Sequence, residues 1–281
     1  MNIKITKELG EKIILDYQNG KKIKNIALET NLSYAGIVKF LKRSKIPIFK
    51  GTTPYNLKIG NDLKQLLIGS LLGDGCFCSV GKAAKNKCLS IGHSWKQKEY
   101  LEYKWNILNR YNLVSPIIKY HINNKRYSQE LIGYRFKSKL HPIFTSIRTK
   151  YYDTVGNKRV LYEFVKDIDA LGLAIWYMDD GYTTKNSCIL STCSFNIEEQ
   201  TLLADILLSK FDLHFNVGKN DNSMYLQAKD FPKFVDLIKD FIIPTMQYKL
   251  ITYSKRRVLH KQGELLEHPE VGNQQPSYRS A

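Results

Sequence analysis

The chain has 281 residues, enough for one large domain or two of moderate size. Its 43 Lys and Arg outnumber its 26 Asp and Glu, and the formal net charge of +17 indicates a polyanionic partner. The basic residues are spread along the whole chain instead of lying on one amphipathic helix, which disfavours a membrane surface as that partner.

Neither a membrane span nor a secretory leader is expected. The apolar run Leu66–Leu72 is too short to cross a bilayer, and charged residues occur from position 4 onward. The five cysteines form no CxxC pair, which disfavours structural zinc and fits a reducing compartment. We therefore expect an intracellular protein, in the cytoplasm of a bacterium or phage-infected cell or in an organelle.

Residues 1–46 are predicted to form a small all-helical module. Ile23 and Ile26 follow helical spacing, and Ser33 is placed to cap the next helix after a tight turn. The pattern resembles the helix-turn-helix of resolvase-type proteins, whose second helix enters the major groove of DNA. The alternative is a plain three-helix bundle with a solvated basic face. The resemblance assigns DNA contacts to Lys39, Lys42 and Arg43.

Residues 47–60 contain two prolines and two glycines, which is typical of a linker. An apolar helix follows, for which Asp62–Gln65 has the pattern of a capping box. It runs to Gly73-Asp74-Gly75. Gly69 and Gly73 are four residues apart, so they share a face and permit the close approach of another helix.

The rest of residues 61–155 alternates between strand and helix patterns. A β-prone stretch follows the apolar helix, then a helix through Tyr111. Two strands come next, in which Ile118 and Tyr120 alternate with polar residues and Tyr134 and Phe136 do the same. A helix near residues 142–148 closes this half.

Residues 156–262 repeat that order. An apolar helix ends at Asp179-Asp180-Gly181, Asn196–Glu199 forms a capping box for a second helix, and two alternating strands and a helix follow. The sequence therefore predicts an α+β fold of two αββαββα repeats, preceded by the helical module. Residues 263–281 are polar and lack periodicity, which predicts a disordered tail.

The two repeats each place an acid at the end of an apolar helix, and the glycine after each acid, Gly75 or Gly181, predicts a left-handed turn that ends the helix. Asp74 and Asp180 lie 106 residues apart. If the two helices pack side by side, both carboxylates reach one spot, and oxygen ligands of this kind suit Mg²⁺.

The runs Leu67–Gly75 and Leu173–Gly181 resemble the LAGLIDADG motif, here present twice in one chain. The resemblance implies a monomeric homing endonuclease, whose repeats form a saddle for double-stranded DNA about a pseudo-twofold axis. It further implies metal-dependent, site-specific cutting of both strands with short 3′ overhangs, and an origin in an intron or intein.

The same resemblance assigns the active site. Asp74 and Asp180 would hold Mg²⁺, for which Mn²⁺ can substitute, and the backbone carbonyls of Gly73 and Asp179 would approach the metal. Family members also carry a basic residue near each active site. Lys158 matches the position before the second motif, and Lys249 matches the later one, in Met246–Leu250.

The saddle would present the polar side of its strands to DNA. Arg and Gln suit guanine and adenine edges in the major groove, whereas the alternative is that these residues are ordinary solvent-facing positions. The residues expected to contact DNA are Lys119, His121, Asn123, Arg135, Lys137, Asn216, Tyr225, Gln227 and Lys229.

Three other functions compete with a nuclease. The sequence Tyr177–Asp180 also matches the metal-site motif of reverse transcriptases. In those enzymes the motif lies on a hairpin, whereas in this chain it ends a predicted helix. Some LAGLIDADG proteins are maturases that assist intron RNA splicing, and the sequence leaves this open. Some bacterial regulators join a degenerate LAGLIDADG fold to a helix-turn-helix, but they typically lack the acids that this chain keeps.

Overall fold

The computed structural model describes residues 5–18, 21–46, 48, 57–79, 81, 85–122, 131–218 and 221–252. The predicted tail at 263–281, Asn123 and most of the predicted linker at 47–60 lie outside these residues. Within the described residues, no helix is long and apolar enough to cross a membrane.

Three short helices make up the described part of the N-terminal module. They are α1 (Lys7–Gln18), α2 (Ile23–Thr30) and α3 (Tyr34–Arg43). Asn31 ends α2 in the left-handed conformation, and the Ser33 hydroxyl accepts the amide of Gly36, as predicted for a cap. Ile13, Ile26, Ile37 and Leu41 form a hydrophobic cluster that shares no residue with the larger core. The module therefore has a core of its own.

The two predicted repeats have the same order of elements, and the α+β class is confirmed. The first comprises α4 (Asn61–Leu72), β1 (Cys76–Cys78), β2 (Cys88–Ser94), α5 (Lys98–Asn109), β3 (Ile118–Ile122), β4 (Leu131–Lys137) and α6 (Pro142–Tyr151). After the short helix α7 (Tyr162–Val165), the second comprises α8 (Ala170–Asp180), β5 (Gly181–Thr183), β6 (Cys188–Ser191), α9 (Ile197–Phe211), β7 (Phe215–Val217), β8 (Ser223–Leu226) and α10 (Phe231–Ile238).

Each repeat forms one antiparallel four-stranded sheet. The strand orders are β1-β2-β4-β3 and β5-β6-β8-β7, which are the same order in the two halves. The predicted capping box at the start of α9 is present, with Asn196 and Glu199 bonding each other's backbone amides. The internal repeat inferred from the sequence is thus a repeat of structure.

Helices α4 and α8 cross at the centre of the core, and glycines bring their backbones together. A Cβ atom on Gly69 would lie 2.5 Å from the carbonyl oxygen of Gly172 and 2.8 Å from Cβ of Ile175. A Cβ on Gly73 would overlap the side chain of Asp179. The shared face of Gly69 and Gly73 therefore permits the close approach expected of it.

The glycines after the two acids play a different part from the expected one. Gly181 has extended backbone angles, and the positive-φ glycines of the described residues are Gly81 and Gly156. A left-handed turn at Gly75 and Gly181 was therefore the wrong expectation. The constraint is steric, since a Cβ on Gly181 would overlap the Tyr177 ring and one on Gly75 would lie 2.7 Å from the Ser70 carbonyl oxygen.

Gln65 does not cap α4, so the predicted capping box there is wrong. Helix α4 begins two residues earlier than that box requires, at Asn61, and its N-cap Gly60 has no side chain. The buried Gln65 amide instead donates to the Asp167 carbonyl at 2.8 Å and accepts the Asp169 amide at 2.9 Å. Gln65 thus ties α4 to the start of α8.

Replacing Gly69 by Ala should destabilise the main core by about 1–3 kcal/mol, because the methyl group must push the two helix backbones apart. Chemical denaturation followed by circular dichroism measures the change. The matched control is Gly36→Ala in α3, where the added Cβ meets only the Ser33 hydroxyl at 3.0 Å. Equal effects of the two exchanges on the main transition would contradict the crossing described here.

Candidate active site at the crossing of the motif helices

Asp74 and Asp180 lie at the C-terminal ends of the crossing helices. Asp74 follows α4 by two residues, and Asp180 is the last residue of α8. Burial and the negative charges of Asp74 and Asp179 raise the pKa of Asp180 to about 7. Burial and the charge of Asp179 raise the pKa of Asp74 as well. The structure therefore brings the acids of both repeats within electrostatic range of each other.

One lysine binds the carbonyl end of each motif helix. Lys158 donates to the Gly73 carbonyl at 2.5 Å, and Lys249 donates to the Met178 carbonyl at 2.5 Å and the Asp179 carbonyl at 3.3 Å. Burial lowers the pKa of both amines, that of Lys249 to about 8, against the opposing pull of the nearby carboxylates. These two amines occupy the cation-favouring ends of the helix dipoles.

The side chain of Asp179 lies in the first repeat, away from the site that its backbone faces. It is fully buried and pairs with Lys104 at 2.5 Å, while Asp74 keeps 43% of its side chain exposed. The Asp179 carboxylate also accepts the Asp74 amide at 3.3 Å. The ring of His93 completes this cluster, with Nδ1 lying 3.4 Å from the Asp74 carboxylate.

His93 and Lys104 did not emerge from the sequence pattern, although each carried a signal. His93 has the strand parity of the buried Leu89 and Ile91. Lys104 falls between the buried Leu101 and Leu108 at helical spacing, where an unpaired ammonium group would be costly. A charged residue on an apolar helix face predicts a buried partner of opposite charge, which the doubled acid at 179–180 supplies.

The donor set at the helix ends fits a hard divalent cation. It consists of the carboxylates of Asp74 and Asp180 and the carbonyl oxygens of Gly73 and Asp179, and both of these carbonyls already bind ammonium groups. Ligand atoms of Asp74, His93 and Asp179 also lie within 4.8 Å of one another. There, however, Lys104 neutralises the Asp179 carboxylate, so that cluster is an ion-pair network.

The first sheet turns its open face away from the helices. Residues opposite each other on antiparallel strands share a face, and Arg135 pairs with both Gly92 and Ile118. Tyr120 therefore lies on the same face, over Gly133, with the Arg135 guanidinium 4.9 Å from its ring centre. Lys137 is on this face too, and both basic residues are exposed.

Lys119 and His121 do not share that face, so this part of the expected surface is wrong. The register pairs Lys119 with Tyr134 and His121 with Ile132, which puts both on the side of the buried Phe136. Polar alternation alone gave them the parity of Arg135. The register has the opposite parity, and it lets the Tyr120 ring occupy the space above Gly133.

In the second sheet, Asn216 pairs with Tyr225, so the two share a face as expected, and Asn216 is exposed. The strand is shorter than the alternation predicted. It ends at Leu226, Gln227 follows it, and Lys229 lies in a 3₁₀ turn at Ala228–Asp230. The backbone amide of Gln227 still donates to the backbone carbonyl of His214 at 2.9 Å. Lys229 is exposed but is not part of the strand surface.

On the N-terminal module, the residues expected to contact DNA lie on α3 or at its end. All three of them are exposed, while Ile37 and Leu41 on the same helix are buried. The three are Lys39, Lys42 and Arg43. Helix α3 therefore presents a basic face to solvent.

Comparison with known proteins identifies the family. Residues 64–234, which include both sheets, all of α8 and α4 from Lys64 onward, match the sequence profile of the LAGLIDADG DNA endonuclease family. The chain belongs to the LAGLIDADG DNA endonuclease family. The resemblance drawn from the two motifs is thereby confirmed. The helical module lies outside the matched residues, so its helix-turn-helix character stays a prediction.

Individual relatives of this LAGLIDADG protein cover most of its length. Probable intron-encoded endonuclease 1 of Wickerhamomyces canadensis is 31% identical over 202 residues, which cover 67% of this chain and 83% of the relative. Cytochrome b mRNA maturase bI2 of Debaryomyces hansenii is 26% identical over 207 residues, covering 71% and 77%. The solved structure of the homing endonuclease I-WcaI bound to its DNA recognition sequence matches with a TM-score of 0.61 at 27% identity, covering 77% and 92%.

The raised pKa of Asp180 makes a prediction about stability without metal. Between the ordinary pKa of an aspartate, about 3.9, and the folded value of about 7, the folded protein holds a proton that the unfolded chain has released. Stability from this group therefore falls as pH rises through that window. Asp180→Asn should raise the melting temperature relative to wild type increasingly from pH 4 to pH 7.5, measured by thermal unfolding in EDTA.

Asp167→Asn is the control for that experiment. Asp167 is an exposed acid whose pKa is lowered by its bond to Lys64, so its loss has the opposite sign. A difference between Asp180→Asn and wild type that stays constant with pH would contradict the burial of Asp180 beside the other two acids.

Proposed function

We propose that this chain is a site-specific homing endonuclease that hydrolyses one phosphodiester bond in each strand of a long double-stranded DNA target, leaving short 3′ overhangs. The observation that carries the proposal is that Asp74 and Asp180 lie within electrostatic range of each other at the ends of α4 and α8. They lie between two sheets that have the same strand order. The family and the DNA-bound structure of I-WcaI support it. Because one chain supplies both repeats, it acts as a monomer.

The metal in this proposal is Mg²⁺, with Mn²⁺ as a substitute. Asp74 and Asp180 would hold it, with help from the carbonyl oxygens of Gly73 and Asp179. When bound, the metal lowers the pKa of its water and stabilises the charge on the attacked phosphate. Each repeat faces one strand, so each acid serves one scissile phosphate.

The two lysines at the helix ends act on the phosphates directly in this proposal. Lys158 and Lys249 are held at the helix ends by backbone carbonyls, so their amines are fixed in place before DNA arrives. A preorganised ammonium group stabilises the charge that develops on a phosphate during attack. Because the pKa of Lys249 is about 8, part of its population can also accept a proton near neutral pH.

The DNA surface in this proposal consists of the open faces of both sheets and of helix α3. Arg135 and Lys137 are the exposed basic residues of the first face, and Asn216 and Tyr225 lie on the second. The N-terminal module, with its separate core, would extend the contact along the duplex through its exposed basic residues. These are Lys39, Lys42 and Arg43.

Intron RNA is the second candidate substrate. It is favoured by the 26% identity to cytochrome b mRNA maturase bI2 over 71% of this chain. A maturase needs the basic surface but not the acids. Splicing that survives replacement of both Asp74 and Asp180 would therefore separate this role from DNA cleavage.

The decisive substrate is the DNA that flanks the intron or intein encoding this protein, with the two flanks joined as they would be if that element were absent. The purified protein should cut it once near the junction in Mg²⁺, and should bind without cutting in Ca²⁺. Asp74→Asn and Asp180→Asn should each abolish double-strand cutting and keep binding within about threefold, since neither acid is needed for contact with the strands. Gel electrophoresis and filter binding measure the two properties.

Full cutting by both single variants would refute the assignment of the acids. Binding without cutting by wild type in either metal would favour a non-catalytic DNA-binding regulator. Neither binding nor cutting would direct the search to intron RNA and the maturase role.

The register of the first sheet predicts which lysines and arginines contact DNA. Arg135→Gln should weaken target binding about tenfold and reduce its salt dependence, whereas Lys119→Gln, on the opposite face, should change binding by less than about twofold. Fluorescence anisotropy at several salt concentrations measures both. The reverse ranking would contradict the open face described here.

Replacing Lys39, Lys42 and Arg43 of the N-terminal module should shorten the DNase footprint on the target. An unchanged footprint would refute the module's role in DNA binding.

A further inference from the structure

The two halves of the active site differ in one buried cluster. Asp179 occupies the motif position that Gly73 holds in the first repeat. The strand registers align His93 with Thr192, and the matching pattern of buried positions in α5 and α9 aligns Lys104 with Leu203. The acid, the lysine and the histidine of this cluster therefore have no ionisable counterparts on the Asp180 side.

The cluster contacts Asp74 at two points. One oxygen of the Asp179 carboxylate binds Lys104 at 2.5 Å, and the other accepts the backbone amide of Asp74 at 3.3 Å. Nδ1 of His93 lies 3.4 Å from the carboxylate of Asp74. Buried groups thus contact both the main chain and the side chain of Asp74, while its carboxylate remains open to solvent on the other side.

Its members are held rigidly. Lys104 is fully buried, with its ammonium group 4.4 Å from the ring centre of Tyr100, and the Tyr100 hydroxyl donates to the Ile175 carbonyl at 3.0 Å. The rings of His93 and Tyr100 lie 4.9 Å apart. A buried ion pair of this kind adds little net stability, but it fixes geometry because neither charge tolerates the loss of its partner.

His93 directs one ring nitrogen at Asp74. Nδ1 lies 3.4 Å from the Asp74 carboxylate, whereas Nε2 lies 3.8 Å from the Asp179 carboxylate and has no hydrogen-bond partner among the described residues. A carboxylate accepts hydrogen bonds, so Nδ1 is the ring nitrogen placed to donate to Asp74.

We propose that Lys104, Asp179 and His93 are positioning residues for Asp74 alone, so that the two strands of the target are cut by differently supported acids. Lys104 keeps the Asp179 side chain in the first repeat, Asp179 holds the Asp74 backbone, and His93 holds the Asp74 carboxylate. The proposal rests on the proposed nuclease function. Its consequence is that damage to this cluster slows the cutting of one strand and spares the other.

The test measures the rate at which each strand of the target, labelled separately, is cut. The cutting of a supercoiled plasmid that carries the target is followed alongside it. Two perturbations of the cluster are used, the charge-neutral pair Lys104→Met with Asp179→Asn, and His93→Leu. Each should slow the cutting of the same strand about tenfold or more and accumulate nicked circles, because residues that orient a metal ligand typically affect activity 10–100-fold. The other strand should be cut within about threefold of the wild-type rate.

Two further variants separate positioning from general damage. His93→Gln keeps an N–H donor in the cavity and should restore most of the lost rate on the affected strand. Lys98→Met is the matched control on α5, an exposed lysine paired with Glu102 on the helix side of the sheet, and should leave both strands unaffected.

The outcomes are distinguishable. An equal loss on both strands, or opposite strands slowed by the two perturbations, would overturn the positioning role. If the charge-neutral pair fails to fold, His93→Leu against His93→Gln decides the matter alone. If the wild type cuts neither strand of any candidate target, the nuclease function itself fails, and that result is separate from the fate of this cluster.

Discussion

The close approach of helices α4 and α8 is the constraint on which the rest of the structure depends. Gly69 and Gly172 let the two backbones meet, and Gly73 leaves room for the Asp179 side chain to cross into the other repeat. The two helices run side by side in the same direction, with Gly172 beside Gln65 and Gly73 beside Asp179, so they end together and bring both acids to the same place. The two sheets continue from the same ends, so their open faces flank the acids.

This arrangement concentrates negative charge, and the surrounding groups offset it. Lys158 and Lys249 bind the helix ends, and Lys104 pairs with Asp179. Even so, burial and the charges of Asp74 and Asp179 raise the pKa of Asp180 to about 7, against the opposing effect of Lys158 and Lys249. Acids that repel each other in the free protein favour the binding of a divalent cation, and perturbed groups of this kind are characteristic of functional sites.

The repeat, the α+β class and the placement of both acids could be predicted from the sequence, because apolar periodicity and glycine spacing determine which helix faces can meet. The registers could not, since parity within one strand does not fix its partner, and Lys119 and His121 were therefore assigned to the wrong face. The His93–Lys104–Asp179 cluster was missed for a related reason. Its members are distant in sequence, and only the crossing brings them together.

A crystal structure with target DNA and Mn²⁺ tests the central claim most directly, because the anomalous signal locates the metal without reference to activity. Manganese is expected at the ends of both motif helices, coordinated by Asp74 and Asp180, with the Asp179 side chain still paired to Lys104. Manganese bound instead among Asp74, His93 and the Asp179 side chain, or DNA bound away from both helix ends, would contradict this arrangement.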